Sequence, residues 1–305
     1  MPIKIQPDLP ARAVLEGENV DLIFTPEATK QDIRPLRLLL LNLMPKKKET
    51  EIQFARLLGN SPLQIELTLM HTASYSPRNT EPGYLRRFYR NLDDVAGDYF
   101  DGLIITGAPV EQLPFTEVDY WEELVTIMEW SRQHCFRRLG ICWGGQALLH
   151  HFYGIAKYQM KQKLFGIYNH RVLENTSRLM KGFTESFPMP VSRYTETREG
   201  CLTSVPALEL LASSEETGPG IVRARDNGDL YVLNHLEYDA ETLAAEYSRD
   251  QAEGLDTPLP AHYYPHDNPK NTPINYWRPF AYLFMANWLH DLYQATPYDL
   301  TTLQK

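Results

Sequence analysis

Cysteine is scarce in this 305-residue chain: Cys135, Cys142 and Cys201 are the whole complement. An odd number spread through so long a chain excludes a disulfide framework and fits a reducing compartment. Long apolar runs are missing as well. The longest is the leucine-rich stretch around Leu38–Leu41, far short of a membrane span, and Met1–Asp21 mixes charge and proline without the apolar centre of a secretory leader. The expectation is a cytoplasmic protein. Positive charge is in deficit, with 30 basic against 39 acidic residues and a formal net charge of −9, so neither nucleic acid nor a membrane surface is an expected partner. Phosphate loops of the GxGxxG or GxxxxGK type are absent, and the nine histidines show no metal-ligand spacing. His150 and His151 are adjacent and point apart on a helix, and His262 and His266 beside Asp267 fit hydrogen bonding inside a proline-rich loop. No metal and no bound cofactor are expected.

What is present is enough hydrophobic residue, 43% of the chain, to fill a sizeable core. Leu38–Leu43 is a near-continuous apolar run, the pattern of a strand buried on both faces of a parallel sheet. Pro45 punctuates it, and Ile52, Ala55 and Leu58 then share one face of a helix over Lys46–Leu58 that stops at Gly59-Asn60. Further strands are expected at Gln64–Met70, Phe100–Thr106 and Arg138–Cys142, with an amphipathic helix at Val118–His134. Strands alternating with helices imply right-handed crossovers, hence an α/β fold with a doubly wound, mostly parallel sheet and helices on both faces. In the second half, Gly220–Arg225 and Leu230–Asn234 flank the hairpin turn Asp226-Asn227-Gly228, and Asp239 is placed to cap a helix over Ala240–Gly254. Leu255–Pro279 is too rich in breakers for regular structure and reads as a packed loop or lid, followed by a last helix at Ala281–Leu292. Without repeats or linkers, residues 1–305 read as one domain.

The most informative local motif is Gly140-Ile141-Cys142-Trp143-Gly144, where a strand enters a tight turn and then a helix beginning near Gly145. The glycines leave room around a nucleophile on a strained turn, and the helix directs its positive end at the sulfur. A lone cysteine at a strand end is ordinarily a small core residue; the elbow pattern turns Cys142 into a candidate nucleophile, while Cys135 and Cys201 stay structural. Among the histidines His235 stands out, because it ends an apolar strand and lies two residues before Glu237. Together they read as a Cys142-His235-Glu237 triad, with the carboxylate orienting the ring and the ring moving protons. His-x-Glu alone has little weight, since such surface pairs arise by chance. The turn Thr106-Gly107-Ala108-Pro109 brings the backbone N–H groups of Gly107 and Ala108 to the same sheet edge, where with the Trp143 N–H they can form an oxyanion hole; an ordinary Gly-Pro turn remains open at this point. The run Lys46-Lys47-Lys48 is either a solvated helix start or, at the end of the first strand, a contact for the phosphates of coenzyme A, with Lys47 the candidate.

These segments, in this order and over nearly the whole length, resemble the homoserine O-acyltransferase family, the homoserine O-succinyltransferases and their acetyl-specific relatives. The resemblance rests on Asn42-Leu43-Met44-Pro45-Lys46-Lys47, Asn60-Ser61-Pro62-Leu63-Gln64, Phe100 to Pro109, Tyr120-Trp121 and Cys142-Trp143. It continues through His235-Leu236-Glu237-Tyr238-Asp239, Pro265-His266-Asp267-Asn268-Pro269, Asn271-Thr272-Pro273 and Thr296-Pro297-Tyr298-Asp299-Leu300. It implies a fold like class I glutamine amidotransferases (flavodoxin-like) and an acyl-thioester on Cys142 formed from an acyl-CoA. Homoserine, deprotonated by His235, then takes the acyl group in a ping-pong cycle serving methionine biosynthesis. It also implies substrate-binding roles for Lys163, Ser192 and Arg249, with Arg249 suited to clamp a carboxylate, and a homodimer. Acetyl-using members resemble this chain in having glutamate at position 111, where succinyl-using members have glycine. Glu111 would fill the acyl pocket and repel a succinyl carboxylate, so acetyl-CoA is the expected co-substrate. The rivals are succinyl-CoA as donor, a glutamine amidotransferase-type hydrolase using the same elbow and His-x-Glu pair, and a non-catalytic binding protein on this scaffold.

Overall fold

The structure is a computed structural model that describes residues 3–17, 22–23, 34–75 and 80–304; part of the stretch Met1–Asp21 lies outside the described residues. Twelve strands form one sheet: β1 (Ile3–Lys4), β2 (Leu22–Ile23), β3 (Leu36–Leu41), β4 (Ile65–Met70), β5 (Tyr89–Arg90), β6 (Phe100–Ile105), β7 (Cys135–Ile141), β8 (Tyr158–Val172), β9 (Ser186–Glu196), β10 (Leu208–Ser214), β11 (Gly218–Ala224) and β12 (Leu230–Val232). Their order is β2-β1-β4-β3-β6-β7-β12-β11-β10-β8-β9, with β5 on β4. Pairing is parallel from β2 through to β12 and antiparallel from β12 to β9. Among the described residues the helices are α1 (Ala11–Gly17), α2 (Lys47–Gly59), α3 (Pro82–Phe88), α4 (Leu92–Val95), α5 (Trp121–His134), α6 (Trp143–Tyr153), α7 (Glu199–Thr203), α8 (Thr242–Ala252) and α9 (Arg278–Ala295).

The apolar runs of the sequence are the central parallel strands, and alternation sends their side chains into two cores. Leu36, Leu38 and Leu40 of β3 face one core with Phe54 of α2 and Phe284, Trp288 and Leu292 of α9. Leu39 and Leu41 face the other, with Leu124, Ile127 and Met128 of α5 and Leu148 of α6. Each buried leucine contributes about 2 kcal/mol relative to exposure, and covering both faces makes the sheet doubly wound. Gly102 of β6 is needed for this packing, since a methyl there would come within 3.2 Å of the Trp288 indole. A third core, with Phe165 and Ile167 of β8, Leu243 of α8, Tyr263 and Trp277, fastens the long antiparallel hairpin β8–β9 beneath the 255–277 segment.

Several expectations need correction. Helix α6 starts at Trp143 rather than near Gly145, immediately after Cys142. Helix α5 starts at Trp121 rather than Val118, because Phe115–Glu117 forms a separate 3₁₀ turn. Asp239 does not cap α8 with its side chain: Thr242 N reaches its backbone carbonyl at 3.2 Å, while the carboxylate pairs with Arg56 at 2.7 Å and Arg278 at 2.6 Å. Loop Leu255–Pro279 is tied to the hairpin, with Ile167 N donating to Ala261 O and Ala261 N to Phe165 O, both at 2.9 Å. The last helix already begins at Arg278, with Pro279 in its first turn, where a missing N–H costs nothing.

Candidate active site

Strands β3, β6, β7 and β12 run parallel, so their carboxyl ends share one edge of the sheet. Cys142 sits there, on the peptide between β7 and α6, at φ 48° and ψ −115°. A positive φ strains a cysteine, and it persists only where the surroundings fix it. They do: Cys142 N donates to Val232 O at 2.7 Å, and Gln146 N donates to Cys142 O at 3.0 Å. Helix α6 then leaves along the back of the sheet at a distance no side chain would permit. A methyl on Gly144 would stand 2.5 Å from the carbonyl oxygens of Ile105 and Thr106, and one on Gly140 2.6 Å from Gly145 Cα.

The residue after β12 and Asn234 is His235. Its N–H donates to Pro190 O of β9 at 2.9 Å, and Asn234 accepts from the buried Arg193 of the same strand at 3.3 Å, so β9 holds this turn at two points. His235 Nδ1 lies 2.7 Å from Glu237 Oε1, and Tyr238 stacks on the ring with centroids 4.1 Å apart. Gly107 packs against both side chains: a methyl there would meet His235 Cε1 at 3.4 Å and Cys142 Cβ at 3.5 Å. Burial alone would strip the proton from His235; Cys142 and Glu237 on either side outweigh it and hold the ring well above its ordinary pKa. Among the described residues, no acceptor is met by the backbone N–H groups of Gly107, Ala108 and Trp143, so three donors stand available at the edge of the sheet that carries Cys142.

A cavity of about 230 Å³ opens above Cys142 and His235, and Glu111, Lys163, Ser192 and Arg249 all line it. Glu111 Oε2 is sealed from solvent without a hydrogen-bond partner. Burial raises its carboxyl to about 7, against the Tyr194 N–H and the positive field of His235, Lys163 and Arg193. Lys163 is buried, 2.9 Å from Asp250 and 3.2 Å from Glu246. Glu246 also accepts from Ser192 Oγ at 2.5 Å and Tyr238 OH at 2.8 Å, and Asp250 from Arg249 Nη2 at 2.6 Å. Arg249 is anchored on one carboxylate and still half exposed to the cavity.

Two residues that sequence reasoning passed over therefore hold the floor together. Glu246 and Asp250 lie on the Arg249 face of α8, three residues before it and one after, and the spacing Glu246–Asp250 was the available signal. Lys47 differs from a solvated coenzyme A contact: it is 5% exposed, and its ammonium turns inward onto the Asn42 carbonyl and lies 6.0 Å from the Tyr89 ring. Burial pulls its pKa down to about 8, partly offset by Glu51. Lys46, paired with Glu49 at 3.1 Å, and Lys48 are the outward members of the run.

Solved structures share this arrangement of strands and helices. A glutamine amidotransferase from Thermotoga maritima superposes with a TM-score of 0.54 at 11% identity, over 86% of this chain and all of its own. One from Methylobacillus flagellatus gives 0.55 at 13% identity, over 85% and 95%. The fold is thus that of the class I glutamine amidotransferase-like α/β proteins, here with a cysteine on the elbow and a histidine and glutamate facing it. Within that class the sequence is specific: a family profile described as homoserine O-succinyltransferase matches residues 2–298, and the chain belongs to that family. Among its relatives are homoserine O-acetyltransferases of Desulfovibrio desulfuricans, 49% identical over 99% of this chain and 97% of the relative, and of Methanomethylophilus alvi, 47% identical over 100% and 99%. Another is that of Ruegeria sp., 45% identical over 98% and 96%. Among the described residues no helix is long and apolar enough to cross a membrane.

Proposed function

We propose that the chain is a homoserine O-acetyltransferase that carries acetyl from acetyl-CoA to the homoserine hydroxyl through a thioester on Cys142. In the first half-reaction Cys142 Sγ adds to the acetyl carbonyl, and the oxyanion is met by the N–H groups of Trp143 and of Gly107 or Ala108. Collapse expels coenzyme A, whose thiolate takes the proton from His235. Homoserine then enters; His235 removes its hydroxyl proton, the alkoxide attacks the thioester, and O-acetylhomoserine leaves with Cys142 restored. Glu237 keeps Nδ1 protonated and stabilises the ring when both nitrogens carry protons. Arg249 receives the homoserine carboxylate, and Lys163 and Ser192 shape the pocket in which the amino acid lies.

The observation that carries this reading is the convergence of Cys142, His235 and Glu111 on one cavity, with a partnerless carboxyl oxygen of Glu111 where a longer acyl chain would extend. The same reading takes residues 1–305 as one acyltransferase domain that works as a homodimer in the cytoplasm, in methionine biosynthesis, with acetyl-CoA as co-substrate and no resident cofactor.

The test is coenzyme A release from acetyl-CoA and succinyl-CoA, with and without homoserine, by the native chain and by Cys142→Ala. Homoserine-dependent release from acetyl-CoA, lost in the variant, is the expected result. Faster release from succinyl-CoA would overturn the acetyl assignment. Inertness towards both, with ammonia formed from glutamine, would replace it with a glutaminase.

A further inference from the structure

A second polar cavity, of about 330 Å³, lies at the end of the sheet remote from Cys142. Its walls are the Glu174–Leu179 segment after β8, Glu209 of β10, Arg223 of β11 and Asp291 of α9. The register fixes the separation. Arg223 pairs with Leu230 at the start of β12, whereas the far end of β12, Val232, pairs with Ile141 beside Cys142.

The carboxylates lining this cavity are committed. Glu174 accepts from Thr176 N at 3.0 Å and from its hydroxyl, Glu209 is paired with Arg225 at 2.8 Å, and Asp291 with the buried Arg137. The cations are not. Among the described residues neither Arg178 nor Arg223 has a hydrogen-bond or ion-pair partner. Arg223 Nε is closed off from solvent without an acceptor, and so is Ser177 Oγ, on a residue only 8% exposed. Sealed donors are costly unless something accepts from them, and both of these belong to residues that line the cavity. Arg137 registers the same imbalance: burial, and then the Arg223 charge beside it, lower its proton affinity.

We propose that this cavity is an anion site, taking the carboxylate or phosphate group of a small molecule on the guanidinium groups of Arg223 and Arg178 and the hydroxyl of Ser177. Two guanidinium forks and a hydroxyl match the acceptor geometry of either group. The carboxylates that line the cavity are held by their own partners, and among the described residues neither histidine nor cysteine lines it, so the site is read as binding its ligand without transforming it, and it stands independently of the acetyltransferase reading.

Calorimetric titration of the full chain with inorganic phosphate and, separately, acetate, at matched ionic strength in chloride, tests it. Saturable uptake of one anion per chain is expected, unchanged in Cys142→Ala and weakened about tenfold by Arg223→Gln. Arg178→Gln, which changes an exposed side chain that is bonded to no other described residue, weakens it similarly. Tighter phosphate than acetate identifies a phosphate-bearing ligand, and the reverse order a carboxylate-bearing one. The proposal is overturned by no saturable uptake of either anion, by uptake that both arginine variants leave unchanged, or by uptake that homoserine displaces, which would put the anion in the catalytic pocket.

Discussion

Lys157 ties down the loop that carries Glu111: its ammonium donates to the Glu111 carbonyl and, at 2.6 Å, to that of Leu113. The residue just before β8 thereby orders the turn after β6, and the Glu111 carboxyl is held in the pocket by its own backbone.

That carboxyl should make donor choice depend on pH. Burial raises Glu111 to about 7, so it is largely neutral below that pH and anionic above it. Only the anion repels a succinyl carboxylate. The ratio of kcat/KM for acetyl-CoA over succinyl-CoA should rise about tenfold between pH 6 and 8, the equivalent of ~1.4 kcal/mol. Glu111→Gln should flatten the ratio, and Glu111→Gly should gain succinyl-CoA use; a native ratio flat across this range would refute the electrostatic account.

The same shift acts on folding. The unfolded carboxyl ionises near 4.5 and the folded one near 7, so the native state binds the extra proton and stability declines as pH rises through that window. Glu111→Gln should therefore melt higher than the native chain at pH 8, where the penalty is fully present, and equal it at pH 4. Melting curves at the two pH values decide the matter.

Two glycines beside the elbow should fail in different ways. Gly144→Ala drives a methyl to 2.5 Å from two backbone carbonyls, which calls for backbone movement costing about 3 kcal/mol or more. Loss of soluble protein or a large drop in urea midpoint is expected. Gly107→Ala meets only ordinary contacts, at 3.4 and 3.5 Å, but meets them at the His235 ring and Cys142 Cβ. Its melting temperature should stay near native while kcat/KM falls about 100-fold through misplacement of the reacting groups.

Removal of Glu246 should loosen the floor of the pocket. Lys163 would then share only Asp250, and the Ser192 and Tyr238 hydroxyls would lose their acceptor. Glu246→Ala is expected to lose about 2 kcal/mol of stability and to raise the KM for homoserine more than it lowers kcat. Glu246→Gln, which keeps an acceptor oxygen, should recover most of the stability. Steady-state kinetics with unchanged homoserine KM in the alanine variant would remove Glu246 from the acceptor site.

Beneath the elbow strand, Asp229 accepts from Arg138 Nε at 2.6 Å and Arg138 N at 2.8 Å, and both residues are buried. Deleting one partner strands the other, so Asp229→Ala should cost about 3–5 kcal/mol in chemical denaturation. Replacing both with apolar residues should cost far less.

The parallel half of the fold was legible because its strands are buried on both faces and read as apolar runs such as Leu38–Leu41; the elbow was legible because glycine flanks the cysteine at the positions where α6 touches the sheet. The hairpin β8–β9 was not. The first part of β8 is largely exposed, its register shifts between Gln159 and Leu164, and its connection runs from Val172 to Ser186 without a tight turn. The strands β1, β2 and β5 have two residues each and leave no periodicity to read. The burial of Lys47 and Glu246 was not legible for a shared reason: charged residues on helices pass for surface, and only the tertiary neighbours Asn42 and Lys163 show what holds them inside.

Cys142 and the lysine and serine that line its cavity are built on different parts of the sheet. Cys142 rests on parallel strands that α6 locks through close glycine contacts, whereas Lys163 and Ser192 ride on the outermost antiparallel pair. The scaffold consequently leaves its two halves unequal freedom. A side chain at Gly140 or Gly144 must displace backbone, but the edge hairpin can change one side chain at a time, so the shape of the cavity can vary while the elbow stays fixed.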